Sequence, residues 1–558
     1  MMTTSPHWPH GLPDHLSAPE TSLYANLEVA ATRYPEKAAL LYYGSAMSYR
    51  RLRSEVDAMA GFLQQHCGLT RGDRVVLYMQ NSPQFIIAFY AILRADAVVV
   101  PVNPMNLTAE LQYIVEDSGA KIAFVGDELL SNVEPLFDHQ LDTVVGVRYA
   151  DYLFAETDLA LPDVITPVKR QAPQSMNSRC NVVDWVDALH HQCVPRQHDA
   201  GPNDLAVIPY TSGTTGRPKG CMHTHRTTMH VAVSCAEWPS VPKDTISLCS
   251  LPLFHVTGMQ NCMNMPIFLG ATVVLMTRWD ARCAAQLIER HRVRTWVTIP
   301  TMLIDLLNQP DVGKFDLSSL SYLSGGGAAM PQALAKQIRE RWNIPYVEGY
   351  GLSETMSATH INPPRRSKEQ CLGIPIFDTE SMVVDPSTFE PADVGAIGEI
   401  LVHGPQVFEG YWRAPDATQD AFVEMDGKQY LRTGDLGYVD ADGYFFMVDR
   451  VKRMINASGY KVWPAEVETM LFEHPAIQEA CVISARDVRR GESVKAVVVV
   501  RDGFTVTEEQ LIAWARERMA SYKVPRLIQF ASSLPRTASG KVQWRLLQEA
   551  EFQGGEAS

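Results

Sequence analysis

The stretch Tyr210-Thr211-Ser212-Gly213-Thr214-Thr215-Gly216-Arg217-Pro218-Lys219-Gly220 decides how this chain is read. It follows a short apolar run, Leu205 to Pro209, with the length and composition of a buried strand entering a turn. The stretch holds three glycines, four Ser/Thr hydroxyls and two cations, and almost nothing that could be buried in a core. Glycine takes positive φ and lets the backbone approach closely, so successive N–H groups can point at one anion. Thr211, Ser212, Gly213, Thr214 and Thr215 would form the cradle, and Arg217 and Lys219 would add charge. The pattern predicts a polyphosphate site, most simply for a triphosphate. A solvated linker is the competing reading.

Neither of two common phosphate motifs is present. The Gly-x4-Gly-Lys-Ser/Thr loop fails because Pro218 and Cys221 stand where its second glycine should be, counting from Gly213 and Gly216. The dinucleotide fingerprint fails because Gly325-Gly326-Gly327-Ala328-Ala329-Met330 lacks the third glycine.

Outward from this loop the chain alternates strands and amphipathic helices. Ser48 predicts an N-cap for a helix with Leu52, Val56, Met59 and Leu63 on one face. Arg74–Met79 and Val98–Val102 read as strands, with helices from Pro83 and from Thr108 to Gly119, then a strand at Ile122–Val125. The rhythm resumes with strands at 246–250, 271–276, 295–299 and 322–324, and helices at 281–292 and 331–342. Such alternation predicts an α/β fold with a parallel sheet covered on both faces and ligands beyond the carboxyl ends of its strands. Residues 150 to 200 carry Pro162, Pro167 and Pro173 without a sustained period and read as a surface excursion. From about 380, short strands with Asp426-Gly427 and Asp442-Gly443 turns predict a β-rich subdomain. The division expected is a loosely ordered stretch 1–20, a large domain 21–450, and a small α+β domain 451–558.

Composition narrows the partners. Of 558 residues, 46% are hydrophobic and 20% charged, as in an ordinary folded protein. A net charge of −14 argues against nucleic acid or an anionic membrane, so a polyanionic ligand would need a local cationic site. Ten cysteines without a C-x2-C pair read as reduced thiols. No apolar run long enough to cross a membrane, no secretion signal and no terminal lipidation signal is expected, which makes the cytoplasm the default location.

Five further stretches are polar or glycine-rich where a core would not be. Pro252-Leu-Phe-His255 ends an apolar run on a histidine, which by itself is more often structural. Ser324 to Met330 has no bulky side chain for five positions, which suits either a flat ligand or tight packing. Gly349-Tyr350-Gly351-Leu-Ser353-Glu354 offers an aromatic face, a hydroxyl and a carboxylate, and beside phosphates Glu354 would suit Mg²⁺; a capped loop is the rival reading. Thr433-Gly434-Asp435 puts an acid on a tight turn, suited to ribose hydroxyls, and Lys541 follows the Gly540 turn where a solvated lysine is the ordinary expectation.

Taken in order, Tyr-Thr-Ser-Gly-Thr-Thr-Gly-x-Pro-Lys-Gly, Pro-Leu-Phe-His, Gly-Tyr-Gly-x-Ser-Glu, Thr-Gly-Asp, Asp-Arg-x-Lys and Pro-Arg-Thr-x-x-Gly-Lys resemble the adenylate-forming superfamily, which includes acyl-CoA synthetases, from about residue 22 to 547. The resemblance implies joining a carboxylate to AMP from ATP and passing the acyl group to a thiol. A mixed anhydride with AMP is a far better acyl donor than a carboxylate. On that resemblance Lys541 bridges carboxylate and α-phosphate, Ser353 contacts the α-phosphate, and Glu354 holds Mg²⁺. Thr211 to Lys219 order the β- and γ-phosphates. Tyr350 stacks on adenine with Gly326 and Gly327 leaving it room, and Asp435 and Arg450 take the ribose. Lys452 is the implied hinge of a mobile C-terminal domain that withdraws Lys541 and brings Ser458-Gly459-Tyr460 to the CoA pantetheine. His255 is implied beside the carboxylate. Arg453 departs from the acid many relatives carry after the hinge lysine.

The acyl pocket implied by the same resemblance is lined by Val233, Trp238, Met259 and Met263, with no Arg or Lys among them. A second carboxylate or an amine would need a buried partner, so an apolar monocarboxylic acid is expected, a medium or long fatty acid before an aryl acid. An adenylating enzyme that loads a separate carrier protein and a non-catalytic nucleotide-binding relative are the other readings, intact Lys541, Glu354 and Lys219 weighing against the last. The partners expected are small molecules, with a homodimer compatible.

Overall fold

The alternation read from the sequence resolves into two large sheets with helices between and around them. In the computed structural model residues 5–137, 140–165, 180–211, 217–242, 244–327, 330–450, 453–457, 460–487, 491–536 and 542–554 are described. The chain divides into two compact units: Met1–Ser381 with Val402–Leu431 and Asp442–Phe445, and Met382–Leu401 with Arg432–Ala441 and Phe446–Ser558.

Unit 1 carries a seven-stranded sheet in the order 223–224, 205–207, 98–102, 74–78, 122–126, 143–147, 181–184, parallel except for the His223–Thr224 edge. Its nine-stranded sheet runs 374–375, 357–361, 346–352, 322–326, 295–297, 246–249, 272–275, 38–42, 45–48, with parallel pairing through the middle. Helix Tyr49–Gln65 begins where Ser48 accepts a hydrogen bond from Arg51 N at 3.3 Å, and Leu52, Val56, Met59 and Leu63 are all buried. Helix Pro83–Arg94 has proline at its first position and Ser82 as its cap, and it is apolar and buried almost all round. Helix Thr108–Ser118 ends on Gly119 at φ 68°, the left-handed stop that glycine accommodates.

Two sequence readings are corrected. The excursion at 150–200 contains a strand, Asn181–Asp184, at the edge of the seven-stranded sheet, and a helix, Trp185–His190. Both are short, and the anchoring Trp185 is fully buried with its indole N–H on Tyr152 at 3.0 Å, a tertiary contact with no local signature. Asp435 is not on a turn: it lies inside strand Lys428–Val439, with Gly434 at φ 68° bending the backbone just before it. Helices Tyr24–Arg33, His225–Glu237 and Pro300–Leu307 were not anticipated from the periodicity.

Unit 2 contains strands 455–457, 460–462, 477–487, 491–500 and 527–530 in one sheet, with helices Pro464–Phe472, Glu508–Arg516 and Trp544–Gly554. Ile477, Val482, Ala496, Val498, Val467, Leu471 and Leu511 form its core. Among the described residues no helix is long and apolar enough to cross a membrane.

Candidate active site

The two ends of the 210–220 stretch pair as the stem of a hairpin. Strand Leu205–Val207 runs parallel to Val98–Val102, and the chain leaves its carboxyl end into Tyr210–Thr211, which pairs antiparallel with Lys219–Gly220. Thr211 and Lys219 face each other across the mouth of the loop. Ser212, Gly213, Thr214 and Thr215 lie outside the described residues. Gly220 is a close-approach position, since a Cβ there would come within 2.6 Å of Ile208 Cγ2. Tyr210 donates its hydroxyl to Asp117 Oδ2 at 2.6 Å, tying the stem to the neighbouring helix.

A second segment is laid against this stem. Met222 N donates to Gly410 O, Glu409 N to Met222 O and Trp412 N to Gly220 O, each at 2.8 to 2.9 Å. This pairing places Tyr411, which sequence reasoning missed, between two predicted site residues. Its hydroxyl donates to Glu354 Oε1 at 2.7 Å, and the Lys219 Nζ stands 5.1 Å from its ring centroid. Phe408 N also donates to Glu354 O at 2.9 Å. Burial, followed by the adjacent Glu354 charge, pushes the Tyr411 phenol up, so it remains an O–H donor.

Strand Tyr346–Leu352 delivers Ser353 and Glu354 on a single helical turn, Ser353–Thr355. His223 was also missed: fully buried, it donates Nε2–H to Ser353 O at 2.7 Å, and burial lowers it to about 4. A carbonyl can only accept, which places a proton on Nε2, and burial keeps the ring neutral. Nothing in Gly410-Tyr411 or His223 points along the chain to Glu354 or Ser353, 57 and 130 residues away.

The glycine run Ser324–Gly327 is decided by packing. A Cβ on Gly325 would meet Thr298 O at 1.8 Å and one on Gly326 would meet Gly349 O at 2.2 Å, so neighbouring strands already demand both glycines. Gly327 turns the chain at φ 80°. Tyr350 is buried on the adjoining strand, its ring 5.7 Å from that of His360.

Asn81 fixes the loop that carries His255, donating to Leu251 O at 2.9 Å and accepting from Leu253 N at 2.7 Å. His255 is exposed at the start of a helical turn. Met259–Asn264 follows as a π-helical turn, a geometry common at functional sites, with Met259 and Met263 wholly buried. Val233 is buried on helix His225–Glu237, and Trp238 is fixed by its N–H on Asn362 O at 3.1 Å and by edge contacts with Trp8 and Phe377.

In unit 2 Asp435 is fully buried and pairs with Arg450 Nε at 2.7 Å, so the two predicted ribose residues do come together. Next to them Asp449 accepts from Arg450 N and Ala465 N, both at 2.7 Å. Arg453 is bound to Glu468, lies 3.6 Å from Asp449 and donates to Val482 O at 3.2 Å. Its counter-charges are therefore these two carboxylates. Lys452, Ser458, Gly459 and Lys541 lie outside the described residues, and of Tyr460 only the strand Tyr460–Val462 is described.

A cavity of about 930 Å³ contains none of the predicted site residues; it is lined by mutually paired groups such as Arg51 with Glu55 and Arg94 with Asp57. A smaller one, about 370 Å³, opens beside Lys219. Among the described residues no group of three or more His, Cys, Asp or Glu could hold a metal by itself. Glu354 supplies one carboxylate, which fits a hard cation that draws its remaining ligands from phosphate and water.

Residues 27–412 match the sequence model of the AMP-binding enzyme family, and 466–541 that of the AMP-binding enzyme C-terminal domain. The chain belongs to the AMP-binding enzymes of the adenylate-forming superfamily. A long-chain-fatty-acid–CoA ligase of Bacillus subtilis (strain 168) is 34% identical over 553 residues, covering 98% of this chain and 97% of the relative. A feruloyl-CoA synthase of an Amycolatopsis species is 33% identical over 510 residues, 91% of this chain and 94% of the relative. The ATP-bound crystal structure of MatB from Rhodopseudomonas palustris superposes with a TM-score of 0.81 at 26% identity, covering 95% and 99% of the two chains. Within this family the enzyme is an AMP-forming, ATP-dependent carboxylic acid–CoA ligase, with CoA as co-substrate.

Proposed function

We propose that the chain activates a long-chain fatty acid with ATP to acyl-AMP and pyrophosphate, then transfers the acyl group to CoA with release of AMP. The observation that carries the site reading is Tyr411, which brings Glu354 and the hairpin's Lys219 to one aromatic ring. The long-chain substrate is supported by the near full-length relationship to the Bacillus ligase and by the apolar Met259, Met263, Val233 and Trp238.

In the first step the carboxylate attacks the α-phosphorus and pyrophosphate leaves. Two anions must approach, so the chain's own work is to supply fixed positive charge. Lys219 and the residues Thr211 to Thr215 hold the β- and γ-phosphates, Ser353 orients the α-phosphate, and Lys541 bridges it to the carboxylate. Glu354 holds Mg²⁺, which neutralises phosphate charge when bound. His223 keeps the Ser353 backbone in place. Tyr350 carries the adenine with Gly326 and Gly327, and Asp435 and Arg450 take the ribose hydroxyls.

For the second step the segment 451–558 turns about Lys452, removing Lys541 and presenting Ser458, Gly459 and Tyr460 to the pantetheine thiol. His255 gates the thiol's approach to the acyl carbon. The enzyme acts in the cytoplasm, and a homodimer is compatible with that work. An aryl acid is the second reading, favoured by the identity to feruloyl-CoA synthase.

The test is ATP–pyrophosphate exchange with palmitate, octanoate and ferulate, followed by mass detection of the thioester when CoA is added. Exchange with palmitate and a palmitoyl-CoA product is expected. Exchange with ferulate alone would replace the substrate assignment, and exchange without any thioester would point to a carrier-loading enzyme.

A further inference from the structure

One buried amide ties the two large sheets together just ahead of His255. Asn81 lies in the turn between strand Arg74–Tyr78 of the seven-stranded sheet and helix Pro83–Arg94. Leu251 and Leu253 follow strand Ile246–Cys249 of the nine-stranded sheet and lead directly to His255. The Asn81 side chain is only 5% exposed, and both ends of its amide are engaged. Nδ2 donates to Leu251 O at 2.9 Å and stands 3.9 Å from Cys249 Sγ, while Oδ1 accepts from Leu253 N at 2.7 Å. A backbone carbonyl can only accept and a backbone N–H can only donate, so the orientation of the amide is fixed. Aspartate has the same shape but no donor.

The turn that presents Asn81 is itself anchored. Gln80 N donates to the Tyr149 hydroxyl at 2.9 Å, and that hydroxyl donates to Glu128 Oε1 at 2.9 Å. Ser82 accepts from Phe85 N at 3.2 Å and starts the helix. The carbonyls that Asn81 grips are confined a second time by Gly258. A Cβ there would come within 2.1 Å of Pro252 O and 3.1 Å of Leu251 O. His255 N donates to Pro252 O at 3.2 Å, and Met259 N donates to His255 O at 2.9 Å. The backbone on either side of His255 is therefore held by bonds that begin at Asn81 and end in the Val256–Gly258 turn. His255 stands exposed at the end of this segment.

We propose that Asn81 is a positioning residue for the second half-reaction: it holds the Leu251–Leu253 backbone so that His255 stands on the thiol's path to the acyl carbon. This rests on the reading of His255 as the gate for that step. Reacting groups must meet in one geometry, and a displacement of about 1 Å costs up to roughly a hundredfold in rate. The bonds of Asn81 described above run to the His255 loop and not to the residues assigned to the phosphates. Loosening it therefore slows thioester formation and spares adenylation.

The test follows the two half-reactions of the full chain separately, with whichever of palmitate and ferulate the wild type activates. ATP–pyrophosphate exchange reports the first, and thioester formed from the supplied acyl-AMP and CoA reports the second. Wild type, Asn81→Asp, Asn81→Ala, His255→Ala and the double variant Asn81→Asp/His255→Ala are compared, with Tm recorded for each. Asn81→Ala leaves polar space in which water can serve Leu251 O and Leu253 N, and it replaces Asn81→Asp in both comparisons should a buried aspartate prevent folding. The kcat for thioester formation is expected to fall about tenfold in the Asn81 variants, the scale of one lost hydrogen bond, with KM for CoA unchanged and exchange within about twofold of wild type. The double variant should lose no more than His255→Ala alone, because Asn81 acts through His255. A parallel fall in exchange and thioester formation would make Asn81 structural only, and losses that multiply in the double variant would route its effect past His255; either overturns the proposal. Slower thioester formation in His255→Ala with none in the Asn81 variants sinks the proposal and leaves the gate reading standing. A wild-type rate in His255→Ala removes the gate reading and the proposal with it.

Discussion

Tyr411 donates its phenolic hydrogen to Glu354 Oε1 at 2.7 Å while its ring lies 5.1 Å from the Lys219 ammonium. One side chain thus touches the carboxylate assigned to the cation and the lysine assigned to the phosphates. Its ring also packs edge-on to Phe408 at 4.8 Å, so removing the hydroxyl leaves the fold intact. Tyr411→Phe is expected to lower the adenylation rate about tenfold, the scale of one hydrogen bond to a charged group, and to raise the Mg²⁺ concentration needed for half-maximal exchange. Thioester formation from supplied acyl-AMP should be untouched. An unchanged Mg²⁺ dependence would show that Tyr411 only packs.

The Lys541 assignment makes a sharper division. Lys541→Ala should abolish acyl-AMP formation, by roughly a hundredfold or more, the scale of losing a cation aimed at charge that develops in the transition state. It should still make thioester from supplied acyl-AMP and CoA. Equal loss in both half-reactions, measured separately, would contradict the rotation about Lys452.

Buried histidines set an acid limit. Burial lowers His223 and His225 to about 4 and His360 to about 3. Each is neutral in the folded chain while its unfolded counterpart, near 6.5, already takes a proton. The unfolded state therefore binds more protons between pH 6.5 and about 4, and stability falls as pH falls through that window, by up to roughly 3 kcal/mol for a group of this shift. His223→Gln retains an N–H for Ser353 O and has no such titration. Its Tm should decline less steeply than that of the wild type from pH 6.5 to 4.5, and identical slopes would remove His223 as a contributor.

Arg453 is largely buried between Glu468 and Asp449. Arg453→Met would strand two buried carboxylates and should destabilise unit 2 by about 3–5 kcal/mol, seen as faster hydrogen exchange in strand Ile477–Asp487. Reverting Arg453 to the acid expected from relatives should be worse, since it places a third negative charge beside those two. Normal protection in either variant would show that the cluster relaxes around the loss.

Much of this was legible because it is local. The alternation of strands and helices, the Ser48 and Ser82 caps and the Gly119 stop follow from side-chain period and backbone sterics within a few residues. Thr211 and Lys219 could be singled out because glycines and hydroxyls that cannot build a core must serve another purpose. Asp435 and Arg450 came through the resemblance, and they do pair. By contrast the Asn181–Asp184 strand and its Trp185 anchor are too short to carry a period and exist only because the sheet edge and Tyr152 receive them.

The glycines at 325 and 326 show where the sequence stopped: it allowed a ligand surface or tight packing, and the approach of Thr298 O and Gly349 O makes packing sufficient. The sequence by itself determined the family and the alternation of strands and helices, and singled out the 210–220 stretch, since these depend on residue type and spacing. Only the tertiary structure decided that Tyr411 joins Glu354 to Lys219, that His223 secures Ser353, and that Arg453 answers Asp449 and Glu468. Hydrogen bonds and ion pairs act over about 3–4 Å of space whatever the distance along the chain, so no pattern within one segment can announce them.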